Sequence, residues 1–189
     1  MVAVFEPPDD IEHQIDFCRC FYCNAHETAA FPNSEAFLLF YDTRKTLPGL
    51  RSLQKYAVVC GGGKNHRYNL SDGAMLKDNH IDAAGGITNA ITLLRGKLGH
   101  MVKIEVETRN LDEVAEALHA GAEIIMLDNM SLEAMRKAVA MAKGKALIEA
   151  SGGITLETLR PVAETGVDII SIGALTHSVK AFDISMKLV

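Results

Sequence analysis

The sequence lacks several things, and each absence removes a class of protein. No apolar run approaches the roughly 18 residues of a membrane span. Met1 to Asp10 carries Pro7, Pro8, Asp9 and Asp10 but no basic region, so it does not read as a secretory signal. Positive charge is not in excess: the 189 residues carry a net charge of -5, which argues against a nucleic-acid-binding face. No Gly-x-Gly-x-x-Gly follows a strand-like run, which argues against a Rossmann sheet. Around Gly61–Gly63, no glycine stands five positions before Gly63 and neither Ser nor Thr follows Lys64, so this is not a Walker A loop. Four cysteines without an export signal point to reduced thiols and a cytoplasmic location, with neither membrane nor nucleic acid as partner.

What is present is a concentration of cations in an acidic chain. Between Asp42 and Ile81 lie Arg44 and Lys45, then Lys64, His66 and Arg67, then Lys77 and His80. A local cationic cluster in a chain of opposite net charge suggests a pocket for a small polyanion. Residues 1–35 read differently, as an irregular leader with no sustained period. Its Cys18, Cys20 and Cys23, flanked by His13 and His26, are either a zinc site or unpaired thiols. The spacing lacks the second matching pair of a usual zinc site.

From Ala36 onward, short apolar runs alternate with helical periods. Strands are predicted at 36–41, 73–77, 101–106, 124–127, 146–150 and 168–172. Between them, a helix capped by Thr46 buries Leu50, Leu53 and Ala57 and ends in a flexible loop at Gly61–Gly63. Later helices carry Ile87, Ala90, Ile91, Leu94 and Leu98; then Leu111, Val114, Ala115 and Leu118, with Asn110 and Glu113 at the start and Gly121 at the end; then Leu132, Met135, Val139 and Ala142; then Leu156, Leu159 and Val162. A helix over 174–180 and an extended tail at 183–188 complete the reading. The alternation predicts parallel pairing in an α/β fold. An incomplete, TIM-like parallel barrel of about six strands over residues 36–189 fits better than a Rossmann sheet.

A parallel barrel gathers its chemistry at the C-terminal strand ends. Those ends hold Arg44 and Lys45; Lys77, Asn79 and His80; Glu107; Asp128; Ser151, Gly152 and Gly153; and Gly173. The cations, with His66 and Arg67, suit phosphates or carboxylates. Glu107 and Asp128 are hard oxygen ligands suited to Mg2+. Alternation puts Glu105 on the same strand face as Glu107, so either could be the ligand. Ser151–Gly153 reads as an anion-binding helix start. Two other chemistries remain open: a barrel aldolase with Lys45 or Lys77 as Schiff-base lysine, and a non-catalytic phosphate-binding barrel.

Six motifs, in order from Asp42 onward, resemble the quinolinate phosphoribosyltransferase family. They are Asp42-Thr-Arg-Lys-Thr-x-Pro-Gly-x-Arg51, Gly61-Gly-Gly-x-x-His-Arg67, Leu76-Lys-Asp-Asn-His80, Glu105-Val-Glu107, Leu127-Asp-Asn129 and Ala150-Ser-Gly-Gly-Ile154. The resemblance implies that quinolinate and phosphoribosyl pyrophosphate give nicotinate mononucleotide, pyrophosphate and CO2, a step of NAD biosynthesis. It implies that Lys45, Lys77, Glu107 and Asp128 surround the ribose and pyrophosphate, the two acids through Mg2+. It implies that Arg44, His66 and Arg67 hold the quinolinate carboxylates, and that Ser151, Gly152 and Gly173 bind the 5′-phosphate. The family forms homodimers or hexamers of dimers, in which an N-terminal domain covers the partner's barrel and supplies an arginine. Residues 1–35 are too short for that domain. The expectation is therefore a chain with impaired assembly and little turnover on its own.

Overall fold

The computed structural model describes residues 39–179. The leader, its cysteine cluster, the first part of the first strand, Lys180 and the tail lie outside the described residues.

Six parallel strands form one sheet, in the order β1-β6-β5-β4-β3-β2. They are β1 (Leu39–Tyr41), β2 (Ala74–Leu76), β3 (Ile104–Thr108), β4 (Ile124–Asp128), β5 (Leu147–Ser151) and β6 (Ile169–Ser171). The helices are α1 (Arg51–Cys60), α2 (Asp78–Ala84), α3 (Ile87–Arg95), α4 (Leu111–His119), α5 (Leu132–Ala142), α6 (Leu156–Ala163) and α7 (Ala174–His177). The first and last strands of this order, β1 and β2, do not pair with each other, so the barrel is open at one seam. Lys64 partly fills that seam. It forms a parallel bridge to Tyr41, with its N–H donating to Phe40 O at 2.8 Å and its carbonyl accepting from Asp42 N at 3.0 Å.

The core lies between the sheet and the helices. Ile104, Val106, Ile125, Leu127, Ile148, Ala150, Ile170 and Ile172 are all at most 1% exposed and pack outward against the helices. The opposite residues of the same strands face the barrel interior. In register they are Met75 beside Glu105, Glu107 beside Met126, Asp128 beside Ser151, Glu149 beside Ile169, and Ser171 beside both Ser151 and Tyr41. Strand alternation therefore builds an apolar outer layer and a largely polar lumen from the same six segments.

The helix starts at α4, α5 and α6 follow side-chain capping. Asn110 accepts from Glu113 N at 2.9 Å, Ser131 from Ala134 N at 3.3 Å and Thr155 from Thr158 N at 3.3 Å. Four local expectations need correction. The helix expected from Thr46 begins at Arg51, because the Arg51 guanidinium holds the preceding residues as a loop, donating to Thr46 Oγ1 at 3.0 Å and Arg44 O at 3.2 Å. Its buried face is Gln54, Lys55 and Val58, while Leu50 and Leu53 point outward. The Gly61–Gly63 loop is not loose: its three N–H groups donate to Ala57, Val59 and Val58 carbonyls at 3.0 Å. A short helix, α2, occupies Asp78–Ala84 directly after β2.

Candidate active site

The cavity at the C-terminal strand ends measures about 170 Å3. Its walls include Arg44, Lys45, His66, Arg67, Lys77, Glu107, Asp128 and Ser151, eight of the positions singled out in the sequence, from six separate segments. Met75, Met126 and Thr43 supply the less polar wall, and Ser171 closes the far side.

Each charged side chain is held by its element. Lys77 follows β2 and pairs with Glu107 of the neighbouring strand β3. The loop carrying Arg44 and Lys45 is fixed by Arg51 at one end and by Asp42 at the other. Asp42 is fully buried, pairs with the equally buried Lys55, and accepts the His66 N–H at 2.8 Å. Lys55 also donates to His66 O at 3.0 Å. One buried ion pair thus ties the loop after β1 to the segment filling the seam. Burial pushes the Asp42 carboxyl up, and the hydrogen bond and charge of Lys55 offset this only in part.

Arg44 and Arg67 are the most informative cations. The Nε of each is buried and has no hydrogen-bond acceptor among the described residues. Arg67 is fixed by donating to Gly73 O at 3.1 Å. Burial pulls its guanidinium below the usual value, Glu105 works the other way, and Arg44 adds to the lowering. Buried donors without acceptors are costly unless an anionic group arrives to accept from them. Lys77 is half-exposed and ion-paired, unlike the desolvated lysine that Schiff-base chemistry uses.

His66 sits between this cavity and a second one of about 400 Å3 toward the opposite end of the barrel. Its Nε2 lies 3.3 Å from Glu105 and 3.6 Å from Glu149, and its Nδ1 accepts the Arg67 N–H at 2.8 Å. Burial lowers its pKa, but the hydrogen bonds and charges of the two glutamates outweigh burial and push it up to about 9. Burial also raises Glu105, with the charge of Glu149 adding to it and His66 offsetting part. Both ring nitrogens have protein neighbours, and the ring also lines the small cavity.

Glu105 and Glu107 separate by depth. Glu107 lines the small cavity, and Glu105 lies beneath it, 4% exposed. Glu107 and Asp128 stand on adjacent strands and line one cavity. Two carboxylates suit Mg2+, which keeps several waters and bridges phosphate oxygens, so the donor set fits that ion.

Gly152 and Gly173 lie outside the small cavity's walls. Gly152 has φ +95°, and any side chain there would collide with Asn129. The N–H groups of Gly152, Gly153 and Gly173 make no hydrogen bond among the described residues. The expected helix start at Ser151–Gly153 is instead a loop, since α6 begins at Leu156 behind its Thr155 cap. His80 turns back on its own helix, accepting the Lys77 N–H at 3.0 Å.

The sequence reading missed Asp42 and Lys55 as the buried clamp, and Glu149 and Ser171 in the lumen. Alternation along Leu147–Ser151 placed Glu149 on the face of Ser151 and was the available signal. Nothing in the pattern of α1 marks Lys55 as buried.

An open parallel barrel with cations and carboxylates converging on one cavity at its C-terminal strand ends defines the class: an α/β-barrel protein with an anion-suited site at the end where such barrels carry chemistry. Comparison with known proteins narrows this. The chain belongs to the quinolinate phosphoribosyl transferase family: residues 26–187 match the model of that family's C-terminal domain. It is 54% identical over 147 residues to the probable nicotinate-nucleotide pyrophosphorylase [carboxylating] of Bacillus subtilis, covering 78% of this chain and 51% of that protein. It is 48% identical over 165 residues to the chloroplastic enzyme of that name from Arabidopsis thaliana, covering 78% of this chain and 47% of that one. The solved structure of the nicotinate-nucleotide pyrophosphorylase from Francisella tularensis superposes with a TM-score of 0.82 at 42% identity, over 93% of this chain and 59% of that one. The chain spans about half the length of the curated relatives it matches.

Proposed function

We propose that the small cavity carries out phosphoribosyl transfer to quinolinate with decarboxylation. Quinolinate and phosphoribosyl pyrophosphate would give nicotinate mononucleotide, pyrophosphate and CO2. The observation that carries this reading is the pair of buried guanidinium Nε–H groups, on Arg44 and Arg67, that lack acceptors among the described residues and stand beside Lys45 and Lys77. A dianionic aromatic acid supplies the missing acceptors.

Pyrophosphate departure builds negative charge on the leaving group and positive charge at the anomeric carbon. Lys45 and Lys77 stabilise the first, and the carboxylates of Glu107 and Asp128 stabilise the second. Glu107 and Asp128 would also hold Mg2+, which when bound neutralises charge on the phosphate oxygens. Arg44, His66 and Arg67 hold and orient the pyridine dicarboxylate. Ser151 at the end of β5 and the N–H groups of Gly152 and Gly173 take the 5′-phosphate, an assignment supported by glycine N–H groups that make no hydrogen bond among the described residues.

We also place assembly here. Dimers or hexamers of dimers fit the outward apolar face of α1, where Leu53 and Tyr56 are 66% and 68% exposed. Among the described residues, no helix is long and apolar enough to cross a membrane. A reducing, cytoplasmic location is proposed from the cysteine usage alone.

The test pairs phosphoribosyl pyrophosphate titration with a turnover assay. In a full-length relative, replacing the lysine equivalent to Lys45 or Lys77 with alanine is expected to cost about 3 kcal/mol of transition-state stabilisation. Unchanged kinetics would remove these residues from the site. Mg2+ dependence surviving replacement of both acids would overturn their assignment as ligands.

A further inference from the structure

Asn129 closes the Leu127-Asp-Asn motif, next to the proposed metal ligand Asp128. With φ +52° it is the one non-glycine residue in the left-handed region among the described residues. That conformation disfavours L side chains, and asparagine bears it better than most. The chain has to turn sharply here. Asp128, the last residue of β4, lines the small cavity, whereas Met130 packs against the core. Glycine would serve that turn at no steric cost, so the amide has a further purpose. Its contacts lie on the neighbouring strand. Asp128 and Ser151 are in register at the ends of β4 and β5, and the Asn129 N–H extends the ladder by donating to Ser151 O at 2.9 Å. The next residue, Gly152, has φ +95°. The Asn129 amide covers the face of Gly152 that a side chain would occupy: a Cβ there would stand 2.3 Å from Oδ1, 2.4 Å from Cγ and 2.6 Å from Nδ2. The same oxygen would lie 3.8 Å from a Cβ on Gly153.

We infer that Asn129 is a positioning residue: its amide, packed on Gly152, fixes the Ser151–Gly153 loop relative to Asp128. The contact is an interlock between two left-handed residues on adjacent strand ends, one carrying an amide and the other lacking a Cβ. Consecutive glycines hold a loop poorly, because glycine populates both signs of φ about equally. Filling the Cβ position of Gly152 with a neighbour's amide limits that freedom from outside. It also ties together two halves of the site. The end of β4 carries a proposed Mg2+ ligand, and the loop after β5 carries N–H groups proposed for the 5′-phosphate. A hydrogen bond to phosphate depends on donor direction, so a loop free to swing presents its N–H groups less well. The effect on ligands rests on the phosphoribosyl transfer reading; the interlock does not.

NMR of the full 189-residue chain tests the two separately. In the wild type, cross-relaxation is expected between the Asn129 side-chain amide protons and the Gly152 α-protons. Its absence overturns the proposal, whatever any variant does. Asn129→Gly keeps the left-handed backbone and removes the amide, whereas Asn129→Asp keeps the shape. Backbone 15N order parameters at Gly152 and Gly153 should fall in Asn129→Gly and hold in Asn129→Asp. Equal order in the wild type and Asn129→Gly overturns the interlock. Ribose 5-phosphate is the ligand probe. Asn129→Gly is expected to weaken its binding about tenfold, the loss of one hydrogen bond to a charged group, and to leave quinolinate affinity within about twofold. Equal losses for both ligands would make Asn129 a general structural residue and overturn the positioning role. If ribose 5-phosphate does not bind the wild type, while cross-relaxation and order parameters behave as expected, the phosphate assignment fails and the interlock stands.

Discussion

Charge placement at single residues governs both the stability and the chemistry of this barrel. His66 is the clearest titrating case, because Glu105, Glu149, Arg67 and Tyr41 all face it. The two glutamates push its pKa from the ordinary 6.5 up to about 9, against the Arg67 N–H donated to Nδ1, which a doubly protonated ring would give up. The stabilisation this gives is complete below pH 6.5 and is lost as pH rises toward 9. Urea midpoints measured from pH about 6 to 9.5 should fall for the wild type and stay nearly flat for His66→Gln. Equal slopes in the two proteins would show that the Arg67 N–H, by occupying Nδ1, keeps the second proton off. The Asp42–Lys55 pair gives a second prediction. Lys55→Ala leaves a buried carboxylate whose salt-bridge cation is gone and is expected to cost about 3–5 kcal/mol in chemical denaturation. A loss below about 1 kcal/mol would mean that the His66 N–H and the Asn65 amide satisfy Asp42 without the lysine.

Elements were legible in the sequence wherever local and tertiary signals agreed. The strands β4, β5 and β6 and the helices α4, α5 and α6 lie where periodicity placed them, and α4 also where Asn110 marked its start; Ser131 and Thr155 cap α5 and α6 in the same local way. The site was legible for the same reason: parallel strands with a two-residue period send Glu107, Asp128 and Ser151 to one end of the lumen. What was not legible depends on long-range pairs. Helix α1 carries its apolar stripe outward because Lys55 reaches Asp42 and Gln54 Nε2 reaches Thr176 O at 2.6 Å, contacts that no local pattern encodes. The role of Lys64 in the seam depends on a bridge to Tyr41, 23 residues earlier in the chain. The outward stripe of α1 gives the prediction at this scale. Leu53 and Tyr56 make up an apolar surface on an otherwise ordinary helix. Leu53→Glu with Tyr56→Glu is expected to change unfolding free energy by no more than about 0.5 kcal/mol per site. It should also shift sedimentation toward the monomer. A large loss of stability with no change in association would mean that this face packs within the chain.

At the scale of the whole molecule, the question is how far one barrel can run the reaction that the family name describes. The cations, the two carboxylates and the loop glycines all lie between Arg44 and Gly173, and the cavity they form is small. Close in the chain to its walls, Leu47, Leu50 and Tyr68 are 44%, 42% and 44% exposed, apolar surface suited to being covered. An uncovered site admits water, and water weakens each contact between the cations and a bound anion. The 189-residue chain, assayed alone, is therefore expected to bind phosphoribosyl pyrophosphate weakly and to release little CO2 from quinolinate. The control is a full-length relative under the same conditions, with binding and CO2 release measured on both proteins. Weak binding without turnover fits a site that is open to solvent. Turnover comparable to the control would mean that the exposed rim plays no part in excluding water, and that the groups lining the cavity suffice.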